Sequence, residues 1–184
     1  MIILAEVEFL SNLKLLKPSL AQRKESQYFV EEFINNGENT INGCNGLNRI
    51  DSYEKWLNHL DINSKERISG RFTSETFFVQ RMSDSKIVGV VDVRHSLNED
   101  EYHYGHVGGS ILPSERCKGY GTEMTKLGIL KAIEFGNKKI VMSCYESNTA
   151  SKRMIENNGM TIECKYVETD CQVTLVFSKV YQTV

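Results

Sequence analysis

Residues Pro113–Glu123 read PSERCKGYGTE. The proline stops the strand before it, and Arg116-Cys117-Lys118-Gly119-Tyr120-Gly121 runs straight into the apolar stripe Met124, Leu127, Leu130, Ile133 of an amphipathic helix. A glycine-bearing turn that feeds a helix N-terminus is an anion site. The first-turn N–H groups have no intrahelical acceptor, the helix dipole favours negative charge, and glycine lets the backbone approach a phosphate. The stretch therefore predicts a ligand that carries a diphosphate.

Three phosphate-binding patterns compete for it. A P-loop needs Gly, four residues, then Gly-Lys-Ser/Thr, and here Lys118 precedes its glycine. The dinucleotide fingerprint needs a third glycine where Met124 stands. Arg-x-x-Gly-x-Gly remains. Its six residues alone arise by chance about 0.2 times in a chain of this length, so the flanks must carry the weight. Upstream lies a strand with the pair Gly108-Gly109. Downstream come the helix, a strand Ile140–Tyr145, and Asn148 opening a helix that Gly159 closes.

Working outward, a short strand is expected at Leu13–Lys17 and a helix from Leu20 to Asn36, capped by Ser19 and closed by Gly37, with Phe29, Val30, Phe33 and Ile34 as its buried stripe. The Asn- and Gly-rich stretch Glu38–Arg49 is a loop. Asp51 with Glu54 forms a capping box for a helix that buries Tyr53, Trp56, Leu57 and Leu60. Strands follow at Thr76–Met82, Ile87–His95 and Tyr102–Leu112, and a last hairpin at Thr161–Val167 and Val173–Val180. The order is β-α-α-β-β-β-α-β-α-β-β: antiparallel strands first, then one right-handed β-α-β crossover that holds the motif.

Length suits one domain, residues 1–184, with a sizeable core. A net charge of −2 offers no basic face to nucleic acid. The start, MIILAEVEFL, lacks a basic n-region, and no apolar run approaches the roughly 18 residues of a membrane helix, so a cytoplasmic protein without a membrane partner is expected. Five cysteines without a Cys-x-x-Cys pair predict neither a disulfide framework nor a metal site. Cys117 lies in the phosphate loop, at the start of the helix that follows.

The motif, the Gly-Gly strand before it and Asn148 after it resemble the GNAT superfamily of N-acetyltransferases, over Phe77–Val180. Arg94-His95-Ser96-Leu97-Asn98 and His106-Val107-Gly108-Gly109-Ser110-Ile111-Leu112-Pro113-Ser114-Glu115-Arg116 are most similar to a bacterial group of predicted acetyltransferases. The resemblance implies an α/β (α+β) fold. Its mixed, mostly antiparallel sheet of six to seven strands carries helices on both faces and a V-shaped splay between the fourth and fifth strands. It implies acetyl-CoA as co-substrate, without a metal, in that splay. By position, Gly109, Ser110 and Ile111 would meet the acetyl and pantetheine region. Arg116, Cys117, Lys118, Gly119, Tyr120, Gly121 and Thr122 would serve the pyrophosphate, and Asn148 the CoA arm. Gly108-Gly109 suits the strand bulge of that fold; a packing accommodation is the alternative.

Acetyl transfer to a primary amine needs an oxyanion donor and a base. Two familiar GNAT positions are changed: the tyrosine seven residues after the asparagine is Ile155, and the glutamate five before it is Ser143. His106, on the cleft strand, is the base candidate, against a strand histidine bonded to a neighbour. Tyr145 is the candidate acid. His103 and His106, an odd number apart on one strand, are expected on opposite faces and so form no metal pair. An N-acetyltransferase, monomer or homodimer, is expected; a non-catalytic acyl-CoA sensor or scaffold is the alternative.

Overall fold

The structure, a computed structural model, describes residues 11–66 and 72–181; the MIILAEVEFL stretch lies outside them. The seven strands are β1 Leu13–Leu16, β2 Ser74–Arg81, β3 Ile87–Arg94, β4 Val107–Ile111, β5 Lys139–Tyr145, β6 Thr161–Val167 and β7 Val173–Val180. The α-helices are α1 Arg23–Asn35, α2 Tyr53–Lys65, α3 Tyr120–Glu134 and α4 Thr149–Glu156. The order matches the expected one.

The strands form two antiparallel sheets, β1-β2-β3-β4 and β5-β7-β6. The first is a meander, and its alternating residues feed two apolar layers. Val91 and Val93 of β3 face α3 and α4, packing with Leu127, Ile129 and Ile155. Phe78 of β2 and Val90 of β3 face α1 and α2, packing with Phe29, Phe33 and the fully buried Trp56. Helices thus cover both faces, as a fold with two-sided strands requires.

Local chemistry explains most boundaries. Ser19 and Gln22 form a capping box on a 3-10 turn, Leu20–Gln22, that leads into α1. Gly37, Gly136 and Gly159 follow α1, α3 and α4 at φ +78°, +93° and +73°. Three expectations need correcting. α2 is capped by Ser52, whose hydroxyl accepts the Lys55 amide at 3.2 Å; Asp51 lies one residue before the cap and pairs with Lys55, and Glu54 pairs with Arg23 of α1. Ile34 is 53% exposed, so the buried stripe of α1 is narrower than the four residues suggested. Tyr102–Tyr104 is a 3-10 turn, and the third strand begins only at Val107, after Gly105 at φ +71°.

Among the described residues no helix is long and apolar enough to cross a membrane, and no cluster of three or more His, Cys, Asp or Glu side chains could hold a metal ion.

Candidate active site

β4 and β5 touch at one end only. The His106 amide donates to the Val141 carbonyl at 2.7 Å, and the Val141 amide donates to Nδ1 of the His106 ring at 3.0 Å. Beyond this point the strands belong to different sheets. His106 is therefore the pin at the closed end of a V, its ring standing in for a backbone carbonyl. It is 5% exposed and does not line the cavity described below. Burial pushes its pKa down, against the opposing effects of the Val141 backbone and the Asn137 side chain.

This placement favours the strand-histidine alternative. His106→Ala should leave the Val141 amide unsatisfied and cost about 1–3 kcal/mol, read as a lower melting temperature with an unchanged pH–rate profile. The neutral ring contributes fully above the ordinary histidine pKa of 6.5, and that contribution is lost as pH falls from there toward the depressed folded value.

Between the diverging strands lies a cavity of about 290 Å³. Gly108 and Gly109 of β4 form one wall, Ser143, Cys144 and Tyr145 of β5 another, and Asn148, Ser151 and Met154 of α4 a third. A larger hollow of about 410 Å³, between α1 and the start of α2, involves no residue of β4, β5 or α3. The Leu112 amide bonds the Val88 carbonyl at 2.9 Å. Alternation along the β3–β4 ladder then turns the backbone groups of Gly109 and Ile111 toward the gap. The Thr125 hydroxyl is buried without a hydrogen-bond partner and lines the same cavity, which suits a ligand with a polar group at that depth.

The β3–β4 register runs without a shift from Val107 to Ile111, so Gly108-Gly109 is not a bulge. The pair is a packing accommodation. A Cβ on Gly109 would lie 2.7 Å from the Val90 carbonyl, and one on Gly43, in the α1–α2 loop, would lie 2.3 Å from the Gly108 carbonyl. Gly43 also sits at φ +76°. Gly43→Ala should lift the loop off β4 and cost about 1–3 kcal/mol, measured as a drop in thermal midpoint together with lower turnover. Ser110 and Ile111, expected at the acetyl group, do not line the cavity. The Ser110 hydroxyl donates to the Asn42 carbonyl at 3.0 Å, and Ile111 packs on the core.

The loop expected to serve the pyrophosphate follows β4 through a 3-10 turn, Pro113–Glu115. Cys117 at φ +61° and Gly119 at φ +85° turn the chain into α3, with Gly119 as its N-cap. The amides of Tyr120, Gly121 and Thr122 open α3 and have no intrahelical acceptors. Cys117, Lys118 and Gly119 are exposed, and the space beside Gly119 is empty to 4 Å. Gly121 has a second duty, since a Cβ there would lie 3.0 Å from the Met154 sulfur of α4. Through Met154 the loop borders the cavity wall. Asn148 accepts the Ser151 amide at 3.0 Å as the α4 cap while lining the cavity.

Two loop side chains have structural partners. Arg116 makes a two-pronged bond to Glu38, at 2.6 and 2.8 Å, and lies over the Phe33 ring. Glu38 raises its pKa, and the guanidinium is committed to the end of α1. Lys118 bonds Glu115 at 2.9 Å. Glu115, which sequence reasoning passed over, is 4% exposed and also takes Arg81 at 2.8 Å and Lys86 at 2.7 Å. Its carboxyl is held at about 2: the three cations outweigh burial, which alone would raise it. Arg81 further donates to the Tyr120 hydroxyl at 3.3 Å, tying this cluster to the first residue of α3.

On the other side of β4 a buried polar cluster anchors the α1–α2 loop. Asp92 accepts from Asn45 at 2.7 Å and Thr76 at 3.0 Å, and burial raises its pKa. Arg94, stacked on Phe72, donates to the Tyr104 and Gly105 carbonyls and so fixes the turn before β4. That turn brings His103 into the cavity wall. His103 stands on a 3-10 turn, so the strand-face comparison with His106 does not apply.

Residues 20–161 match the model of the acetyltransferase (GNAT) domain. The chain belongs to the GNAT acetyltransferases. No curated protein matches the sequence, whereas solved structures do. The microcin C7 self-immunity acetyltransferase MccE, in complex with acetyl-CoA and AMP, is 18% identical with a TM-score of 0.66, over 92% of this chain and 93% of its own. The RimL ribosomal L7/L12 α-N-protein acetyltransferase, in complex with coenzyme A, is 12% identical with a TM-score of 0.67, over 93% and 95%. The yncA protein of Salmonella typhimurium, with its cofactor acetyl-CoA, is 12% identical with a TM-score of 0.63, over 95% and 96%. These likenesses are of GNAT fold.

Proposed function

We propose that this chain is an acetyl-CoA-dependent N-acetyltransferase that acts on a primary amine, as one domain in the cytoplasm. The carrying observation is the junction of three features. Free first-turn amides at Gly119–Thr122 adjoin, through Met154, a cavity edged by the backbone of Gly109, and that cavity buries the unpartnered Thr125 hydroxyl. The loop amides suit a pyrophosphate, Thr125 and Asn148 an amide-bearing arm, and the Gly109 edge a carbonyl that becomes an oxyanion. Solved GNAT structures with acetyl-CoA or coenzyme A support the same donor.

In this reaction the amine nitrogen attacks the thioester carbonyl carbon. The C–S bond breaks, and CoA leaves as a thiolate that must be protonated. Ile155 is 1% exposed in the core and has no proton to give. Tyr145, half exposed at the end of β5 and lining the cavity, is the candidate acid. The buried Ile155 is also what favours a second possibility, an acyl-CoA sensor without turnover. Thiol release from acetyl-CoA, corrected for hydrolysis and followed across an amine panel, separates the two. Amine-dependent release is expected; tight acetyl-CoA binding with no release across the panel would point to a sensor.

A further inference from the structure

On the face away from α4 the cavity is lined by residues unlike those on the CoA side. Register places Tyr145 and Tyr166 on either side of Thr174, so the three form one cross-strand row. The next row, Cys144, Leu175 and Lys165, has the opposite orientation, and there Leu175 packs with Ile155 of α4. The tyrosine row therefore faces away from α4. Tyr145, Tyr166 and Tyr104 are 48%, 46% and 55% exposed; Tyr145 and Tyr104 line the cavity, and Tyr166 adjoins it through its contact with the His103 ring.

Two groups with proton and charge chemistry sit among them. Glu168 accepts from the Thr174 hydroxyl at 2.9 Å through one oxygen and lines the cavity. His103 lines it too. Its ring stacks on Tyr166 at 4.8 Å and 8°, and lies 4.0 Å from the Tyr104 ring. The stack crosses from the β3–β4 connection to β6, so it joins the two sheets. Arg94 holds the turn beneath it through the Tyr104 carbonyl at 2.6 Å. The titratable groups around this imidazole are Tyr104 on its own turn, Tyr166 from β6, Tyr145 from β5 and Glu168 from the β6–β7 loop. Tyr102, one residue back, is occupied by Glu163, which also pairs with Lys139.

We propose that this side of the cavity is the acceptor site, that His103 is the general base, that Glu168 anchors the incoming ammonium, and that the acceptor is a primary amine with an aromatic body. The proposal rests on the acetyltransferase function above. An aryl group finds flat partners in Tyr104 and Tyr166. Its ammonium is drawn to the Glu168 carboxylate and the tyrosine faces. The ammonium gives one proton to the His103 imidazole, and the freed lone pair attacks the thioester carbon. As the C–S bond breaks, the sulfur keeps its electron pair and the nitrogen gives up its second proton to leave a neutral amide; of the two protons released, one ends on the thiolate and the other passes from the imidazolium to solvent.

The test uses tyramine and methylamine with acetyl-CoA, in the native protein and in His103→Gln, His103→Asn and Glu168→Gln, with acetyl-CoA affinity measured separately by calorimetry. Native kcat/KM for tyramine should exceed that for methylamine at least tenfold and rise with pH. Both His103 variants should lose about 100-fold in kcat and lose that rise, with acetyl-CoA affinity within twofold of native. Glu168→Gln should raise the tyramine KM about tenfold. A pH profile unchanged in the His103 variants would overturn His103 as base. Acetyl-CoA binding with no preference for tyramine would overturn the acceptor class while leaving the acetyltransferase function standing, whereas failure to bind acetyl-CoA would remove both.

Discussion

Gly119→Glu is expected to weaken acetyl-CoA binding about 1,000-fold while the protein still folds. Gly119 caps α3 at φ +85° with nothing within 4 Å of a Cβ built there, so the added side chain meets open space in the free protein. The left-handed backbone costs a non-glycine residue about 1–2 kcal/mol, which a domain of this size tolerates. Binding is another matter. A carboxylate placed about 5 Å from a phosphate charge, at an effective dielectric of about 20, repels it by about 3 kcal/mol, and the second phosphate brings the total to about 4 kcal/mol after screening. That corresponds to about three decades in Kd. Gly119→Asn, which accepts the left-handed region without charge, should lose less than tenfold. Calorimetry of both variants checks the pair; native affinity in a folded Gly119→Glu protein would remove the loop from the donor site.

The second large effect is on stability. Glu115→Ala removes the buried carboxylate that gathers Arg81, Lys86 and Lys118. Breaking a fully buried pair costs about 3–5 kcal/mol. Here Lys86 and Lys118 are 42% and 50% exposed and recover hydration, whereas Arg81 at 18% recovers less. A loss of about 3 kcal/mol follows, or about 6–12 °C in Tm for a chain of this length. The native protein carries the matching pH signature. With its folded pKa lowered to about 2 from 4.5, Glu115 contributes fully above pH 4.5, and the contribution fades as pH falls toward 2. Denaturant melts between pH 7 and pH 2.5 should show the native and Glu115→Ala proteins converging in stability on the acid side. A gap that stayed constant would mean that the carboxylate's charge is not what holds the loop.

The elements that sequence made legible are those fixed by neighbours in the chain. PSERCKGYGTE, Ser19, Asn148 and the closing glycines at 37, 136 and 159 act within four or five residues, so their roles follow from local chemistry. The final hairpin, Thr161–Val167 with Val173–Val180, is local in the same sense. What was hidden depends on distant partners. Arg116 reads as a phosphate ligand until Glu38, 78 residues away, takes its guanidinium. His106 reads as a base until the Val141 amide claims its ring nitrogen. The stretch Tyr102–Gly105 alternates like a strand, but Arg94 holds its carbonyls in a turn. Gly108-Gly109 reads as a bulge because sequence cannot show the loop glycine packed on its backbone. Glu115 had one available signal, an acidic residue inside an otherwise basic anion loop. Such a residue must be either expelled or paired, and three cations pair it.

The most direct test is a crystal structure of the protein with acetyl-CoA. The expected result places the pyrophosphate within hydrogen-bond distance of the amides between Lys118 and Thr122, the pantetheine arm between β4 and β5 beside Thr125, and the acetyl carbonyl against the Gly109 backbone. Acetyl-CoA bound elsewhere, or a pyrophosphate that leaves those amides untouched, would contradict it.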